Sequence, residues 1–566
     1  MTTAAKSDGA RELDSTAPGE NSAGARWIPE QSRPERYISF TLFAVSFLYL
    51  CIFRHYTSME PDEGIVLQGA QRILAGQVPY RDFFSFYTPG SYYALAAVFR
   101  IFGSSLVVAR IALALAGATL SALSYLLARR VCSRGMALTL AALGTLTTLP
   151  YRFLVLHNWD STLWACLAIY ALVRLLETPA SGSWEFAAGI FASLTALSEQ
   201  SKGAGLCLGL AIGLLAIWFV EGKPVLTRAA LLALLSGFAI PLVITFAYFA
   251  SQHAASAMLA DWLWPLRHYS VANRVPYGYQ NWSDASRHLL FGTGSPFVRL
   301  IKAVAVSPCF WIPALPPVAV GLLVYWIVKT RRSAATAASR YYILVAAAYL
   351  GLALSVVLTR ADIIHFMYLQ PLNCVVLAWL LGSRELDSRE TTRLLRRARP
   401  VLAAYVVISL SIFGLAPLAN TASAPERLMT RRGEVTTPAR DTVVEYFQAH
   451  VPPGKTVLIY PYLPLYYYLT AAFSPGPYDY FQPGMHTREQ ADEIVRELAS
   501  GRVDEVLFEP NFSDKVAHSW PGTPLAAIAQ DPVADYIAHH YRPCQELASP
   551  AGWKFLFMVR KDESCD

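Results

Sequence analysis

The sequence predicts a polytopic α-helical membrane protein with a small α/β domain at its C-terminal end. Three observations carry this reading. Of the 566 residues 54% are hydrophobic and only 15% charged, against about 25% charged in an ordinary soluble domain. Apolar runs close to the ~20 residues needed to cross a bilayer recur through most of the first 417 positions. After about residue 430 they give way to short alternating strand and helix patterns. The net charge of +7 does not point to nucleic acid, because the Lys and Arg residues sit in short gaps between apolar runs and form no single basic face.

Taken in order, residues 1–36 are polar and lack the apolar centre of a signal peptide, so they read as a disordered tail. Eleven candidate helices follow, at 38–54, 106–129, 136–150, 160–177, 185–200, 203–220, 227–250, 300–328, 340–358, 365–382 and 400–417. With a cytoplasmic N-terminus, Arg129, Arg130, Arg134, Lys223, Arg228, Lys329, Arg331, Arg332, Arg340 and the run 384–399 all fall on one side. That is the side the positive-inside rule assigns to the cytoplasm. The opposite side receives the loop 55–104, "YRFLVLHNWD", "SEQSKG", the segment 251–300, "TRADIIHF" and everything after residue 418. The expected domains are therefore a tail (1–36), a membrane domain (37–417) and an extracytoplasmic α/β domain (418–566).

Within the outer loop, Ile65, Leu67, Ala70, Ile73 and Leu74 recur at helical spacing and predict an amphipathic helix along the interface, with a second over 90–102. In the C-terminal domain "KTVLIYPY", "VDEVLFE" and "WKFLFMVRK" predict strands, while "TPARDTVVEYFQAHV", "TREQADEIVRELASG" and "PVADYIAHHY" predict helices. Six of the eight cysteines lie in or beside apolar runs without ligand spacing; Cys544 and Cys565 could pair in an oxidising compartment.

Charged groups gather on the outer side. "SMEPDEG" places Glu60, Asp62 and Glu63 where the first helix emerges, and Pro61 disfavours continuing that helix at Glu60. Acidic residues also stabilise a helix start, which is the plainer account of Glu63. Arg81 and Asp82 in "YRDFF", His157 and Asp160 in "HNWD", Lys202 in "SEQSKG", and Arg360, Asp362 and His365 in "TRADIIHF" face the same side. Each has an ordinary alternative: an N-cap for Asp160, a snorkelling side chain for Lys202, and loop-closing pairs for Arg81–Asp82 and Arg360–Asp362. The aromatic run "YPYLPLYYYL" reads as packing in the outer domain, with a carbohydrate platform as its alternative. No Walker loop, Rossmann fingerprint, HExxH or CxxC occurs. A divalent metal could bridge Glu60, Asp62 and a phosphate, and that question stays open.

The stretch "MEPDEGIVLQGAQRILAGQVPYRDFF…YTPGSYYALAAVFRIFG" resembles the first outer loop of the GT-C glycosyltransferases. The group in question includes the protein O-mannosyltransferases, the aminoarabinose transferase and the RgtA/B/C/D-like enzymes. "SKGAGLCLGLAIGLLA", with Ala204 where the family usually has Pro, and "RADIIHFMYLQPL" extend the resemblance over nearly the whole chain beyond residue 38. It implies transfer of a sugar from a polyprenyl-phosphate donor to an acceptor lipid, glycan or protein on the outer face of a membrane, expected to be a bacterial inner membrane. Asp62 would then be the general base and Glu63 its helper or a structural partner, with Lys202 and Arg360 at the donor phosphate. Glu60, Arg81, Asp82, His157, Asp160, Asp362 and His365 complete the candidate pocket. A transporter or flippase of lipid-linked sugars is the competing reading; it would place ionisable groups at mid-depth, where Arg110 is the clearest candidate. A non-catalytic envelope scaffold is the third.

Overall fold

The computed structural model describes residues 33–177, 183–268, 272–279, 294–333, 336–383, 393–482 and 484–565. All eleven apolar segments form helix, but they do not make eleven equal spans. Among the described residues, seven single helices are long and apolar enough to cross a membrane, and an eighth span results if the pair Pro296–Trp311 and Leu315–Arg332, bent by 52°, is counted as one. The predicted 300–328 helix breaks there because Pro308, Pro313, Pro316 and Pro317 remove backbone donors in succession. The helices Arg134–Thr147, Ser183–Ser198 and Gln370–Gly382 have 14, 16 and 13 residues. At 1.5 Å per residue they fall short of a ~30 Å hydrocarbon core. The first helix begins at Arg33, inside the expected tail.

Ten helices are labelled here: α1 (Arg33–Leu50), α2 (Glu63–Leu74), α3 (Gly90–Phe102), α4 (Leu106–Ala128), α5 (Arg134–Thr147), α6 (His157–Glu177), α7 (Ser183–Ser198), α8 (Gln200–Glu221), α9 (Arg228–Ser251) and α10 (Ala255–Arg267). The helix Ala337–Thr359 packs on α8 through small residues: a methyl group on Gly205 would lie 2.3 Å from the Gly351 carbonyl oxygen. Such close backbone approach is how membrane helices associate without a hydrophobic drive. It also brings the outer ends of these two helices, and the polar residues flanking them, side by side. The outer surface of α9 stays apolar and uncovered, with Leu232, Val243 and Ile244 more than 60% exposed, as a lipid-facing helix requires.

The two helices of the first outer loop form as predicted, and α2 packs beneath the α/β domain. Its residues Glu63 to Ala70 are all buried, wedged against the helix Pro464–Thr470 so tightly that a methyl group on Gly64 would meet the Leu465 backbone at 2.0 Å. The end of α3 is the part that stays apolar and exposed, at Ile101 and Phe102.

The outer domain starts after the last membrane helix, Arg393–Ala422. A hairpin, β1 (Glu426–Thr430) and β2 (Gly433–Thr437), joins the loop after α1, since Thr57 N–H donates to Thr436 O at 2.9 Å and Thr436 N–H to His55 O at 2.8 Å. The main sheet has the order β3-β4-β6-β5, built from β3 (Leu458–Tyr460), β4 (Glu505–Phe508), β5 (Tyr541–Ala548) and β6 (Lys554–Arg560). The β3/β4 pair is parallel and the others antiparallel. The hairpin and β5 are additions to the predicted pattern. Cys544 and Cys565 are joined as a disulfide.

Candidate functional site

A cavity of about 1180 Å³ lies between the outer mouth of the bundle and the α/β domain. It has two chemically distinct parts. One is an apolar arm walled by Ala204 and Leu208 of α8, Leu263 and Leu266 of α10, and Leu354 and Leu358 of the helix Ala337–Thr359. Leu208, Leu263 and Leu358 are 46, 58 and 69% exposed, so this arm is not sealed inside the protein. The other part is a polar chamber floored by Glu60, Asp62, Arg152 and His157 and flanked by Arg360 and His365.

Asp62 stands at the start of α2, held by two donors. Tyr462 O–H donates to Oδ1 at 3.0 Å and Arg152 Nη2 to Oδ2 at 3.2 Å, while 41% of the side chain stays exposed. An ionised carboxylate has about four acceptor sites, so two remain for a hydroxyl entering the chamber. Glu60 shares the same arginine, at 3.5 Å. Arg152 is fixed by its own backbone, whose carbonyl accepts from Trp159 Nε1 at 3.1 Å. Its buried Nε has no hydrogen-bond partner among the described residues. Arg152 is absent from the candidates singled out in the sequence; its signal is its place in the same loop, "YRFLVLHNWD", as His157.

Glu63 corrects the expectation of a helper to the base. It turns away from the chamber and is fully buried against Arg110, with Nε–Oε1 at 2.9 Å and Nη2–Oε2 at 2.6 Å. It also accepts from Val155 N–H at 3.1 Å. Of the two roles the resemblance allowed, Glu63 has the geometry of the structural partner, tying α2, α4 and the α5–α6 connection together.

Lys202 lies beneath the chamber wall rather than on it. It is 2% exposed, and its Nζ donates to Asn158 O at 2.9 Å, Ser161 Oγ at 3.1 Å and Thr162 Oγ1 at 3.2 Å. It is also 3.1 Å from Glu199 Oε2. Glu199 is the member of this pair that reaches the cavity. Burial opposes its charge, but Lys202 and then His157 hold its carboxyl down at about 2.

Arg360, Asp362 and His365 are brought together at the chamber edge. Asp362 caps the short helix Ile363–Met367 by accepting from His365 N–H at 3.0 Å, lies 2.7 Å from the His365 ring Nδ1, and accepts from Arg360 Nε at 2.5 Å. Burial raises its carboxyl, yet His365 and Arg360 hold it well below the ordinary range. Arg360 also donates to Ser519 O at 2.7 Å, clamping the outer domain onto the bundle. Arg81 and Asp82 pair with each other at 2.8 Å, and Asp82 accepts from Val78 N–H at 2.7 Å; they close their own loop away from the cavity, and Asp160 likewise lies off its wall. In the aromatic run, Tyr466, Tyr467 and Tyr468 are fully buried packing residues, whereas Tyr462 reaches Asp62.

Among the described residues no group of three or more His, Cys, Asp or Glu side chains is placed to hold a metal. Between Glu60 and Asp62 the nearest positive charge is that of Arg152.

The family model of dolichyl-phosphate-mannose-protein mannosyltransferases matches residues 87–249. No curated protein matches the chain by sequence. Among solved structures, an oligosaccharyltransferase from Archaeoglobus fulgidus, crystallised with Zn and sulfate, superposes with a TM-score of 0.50 at 13% identity, covering 91% of this chain and 72% of that one. ArnT from Cupriavidus metallidurans, bound to undecaprenyl phosphate, gives a TM-score of 0.49 at 12% identity, covering 93% and 97%. AglB from Archaeoglobus fulgidus, in complex with an inhibitory peptide and a dolichol-phosphate, gives 0.47 at 12% identity, covering 94% and 75%.

Proposed function

We propose that this chain, a membrane protein of the GT-C fold, transfers a sugar from a polyprenyl-phosphate donor to an acceptor hydroxyl on the face bearing the α/β domain, with Asp62 as general base. The observation that carries this reading is the position of Asp62, oriented by Arg152 and Tyr462 and still exposed in a chamber continuous with an apolar arm. A long prenyl chain suits the arm and a sugar phosphate the chamber. The family matched over residues 87–249 is named for a dolichyl-phosphate-mannose donor, which agrees with this division.

In the reaction, the acceptor oxygen bonds to the anomeric carbon while Asp62 takes its proton, because an alcohol is a poor nucleophile until deprotonated. The bond from the anomeric carbon to the phosphate oxygen breaks, and its electron pair leaves with polyprenyl phosphate. The proton then passes from Asp62 to water. Fixed positive charge near the departing phosphate lowers the barrier. Arg152 and Arg360 line the chamber and take this role, whereas Lys202 contributes by holding Glu199 and the start of α6 in place. The disulfide Cys544–Cys565 suits an oxidising, extracytoplasmic side for the outer domain. The transporter reading loses its clearest mid-depth charge, since Arg110 is sealed against Glu63.

The test is sugar release from a panel of polyprenyl-phosphate sugars by the purified protein in nanodiscs, wild type beside Asp62→Asn. A folded Asp62→Asn protein is expected to lose about 10²- to 10⁴-fold in rate. Turnover that survives the substitution would remove Asp62 from the role of base.

A further inference from the structure

Opposite Asp62, the wall of the chamber is made by the α/β domain, and its residues have no part in the donor chemistry above. Gln482 lines the cavity and is 1% exposed, yet its side-chain Nε2 has no hydrogen-bond partner among the described residues. Its backbone is fully engaged: the N–H donates to His486 Nδ1 at 3.1 Å, and the carbonyl accepts from Met485 N–H and His486 N–H, both at 3.0 Å. Only the amide is left to serve a visitor, and a half-turn of its terminal torsion presents either a donor or an acceptor. Trp520 lines the same cavity and stands edge-on to Tyr462, the residue that holds Asp62, with centroids 5.2 Å apart. Further along the same wall Lys515 sits 3.1 Å above the ring of Trp553 and 2.6 Å from Glu509.

We infer that this wall is the acceptor subsite and that it takes a carbohydrate, so that the acceptor hydroxyl delivered to Asp62 belongs to a sugar ring. The inference rests on the transferase reading and narrows its acceptor. An aromatic face paired with uncommitted amide and charged groups matches a pyranose, which has an apolar face and a rim of hydroxyls that both donate and accept. A lipid tail finds its match across the chamber, in the leucine arm of α8, α10 and the helix Ala337–Thr359. An extended peptide is best captured along an open strand edge, and among the described residues neither edge strand of the sheet, β3 nor β5, contributes to the cavity wall.

The experiment measures binding without donor, in nanodiscs, by saturation-transfer-difference NMR. Its probes are methyl α-mannopyranoside, methyl β-glucopyranoside, N-acetylglucosamine and a neutral Ser/Thr-containing peptide. At least one glycoside is expected to receive saturation and the peptide none. Gln482→Ala and Trp520→Ala are each expected to weaken the glycoside about tenfold, with undecaprenyl phosphate binding unchanged. Trp520→Phe, which keeps an aromatic face, should retain most of the binding and guards against loss through misfolding. Peptide binding in place of glycoside, glycoside binding indifferent to both substitutions, or no glycoside signal at tens of millimolar would each overturn the subsite. The transferase reading fails separately, if wild type releases sugar from no polyprenyl-phosphate donor, a result on which glycoside binding does not depend.

Discussion

The two ends of the helical bundle use the same residue types for different ends. At the end far from the α/β domain, Glu35 accepts from Arg129, Arg134 and Tyr125. There too Glu177 is paired with Arg130 and Arg174, and Glu221 with Arg340. These carboxylates are 4 to 8% exposed on the side chain and do not line the cavity beside the α/β domain. At the outer end Glu60 and Asp62 are 41% exposed and share one arginine. At the far end each acid has at least one arginine to itself; at the other end two acids share one arginine and face open space. A carboxylate becomes a candidate for chemistry through what is left unsatisfied around it, and the sequence motif alone does not reveal that.

Glu63 and Asp62, neighbours in the chain, give the sharpest form of the contrast and the largest expected effect. Glu63→Gln leaves Arg110 charged and buried without its partner, a change expected to cost about 3–5 kcal/mol. Thermal unfolding in detergent should show it as a large drop in midpoint, whereas Asp62→Asn should leave the midpoint nearly in place. If Glu63→Gln were stable but inactive, Glu63 would belong with the chemistry after all. Next in size is Arg152→Gln. Losing one fixed donor at a developing negative charge typically costs about 10²-fold in rate, and that loss is expected at saturating donor with the fold retained. An unchanged rate would move the phosphate contact to Arg360. Smaller again is Glu221→Gln at the far end, where Arg340 is 30% exposed and stays hydrated. It should cost about 1 kcal/mol or less and leave sugar release within about twofold, well below any loss expected at the outer end.

Most of the fold was legible because a bilayer forces long apolar helices, and their length and spacing are written in the residues themselves. The exceptions have identifiable causes. The 300–328 helix breaks because proline acts locally against the hydropathy pattern, and the burial of α2 is set by its packing on the helix Pro464–Thr470, nearly 400 positions later. The site was legible where it depends on local sequence. Asp62, Glu60, His157, Arg360, Asp362 and His365 all line one cavity. It was illegible where a partner decides exposure: Lys202 and Glu63 look as available as Asp62 in the sequence, and only Glu199 and Arg110 show that they are engaged. Gln482 and Trp520 carry no motif, and only the docking of the α/β domain brings them, with Tyr462, to the cavity that Asp62 lines.

A charged pair in the α/β domain combines both styles. Glu509 and Lys515 are 2.6 Å apart, with the lysine on the cavity wall and the glutamate buried behind it. Burial raises the Glu509 carboxyl to about 7 despite Lys515, and burial lowers the Lys515 ammonium to about 8 despite Glu509. Between the ordinary carboxyl value of 4.5 and about 7 the folded protein therefore holds a proton on Glu509 that the unfolded chain has lost. The stability from this group is full below that window and declines as pH rises through it. For Lys515 the order reverses: between about 8 and 10.5 the unfolded chain holds the extra proton, so stability rises with pH there. The pair thus contributes least between about 7 and 8. Unfolding midpoints of the full chain across this range should show a shallow minimum there, with the acid-side slope flattened by Glu509→Gln and the alkaline-side slope by Lys515→Met. A midpoint that stays flat from pH 5 to 7, as for a carboxylate whose pKa is not raised by folding, would mean that water reaches Glu509 and that this wall of the chamber is wetter than its packing indicates.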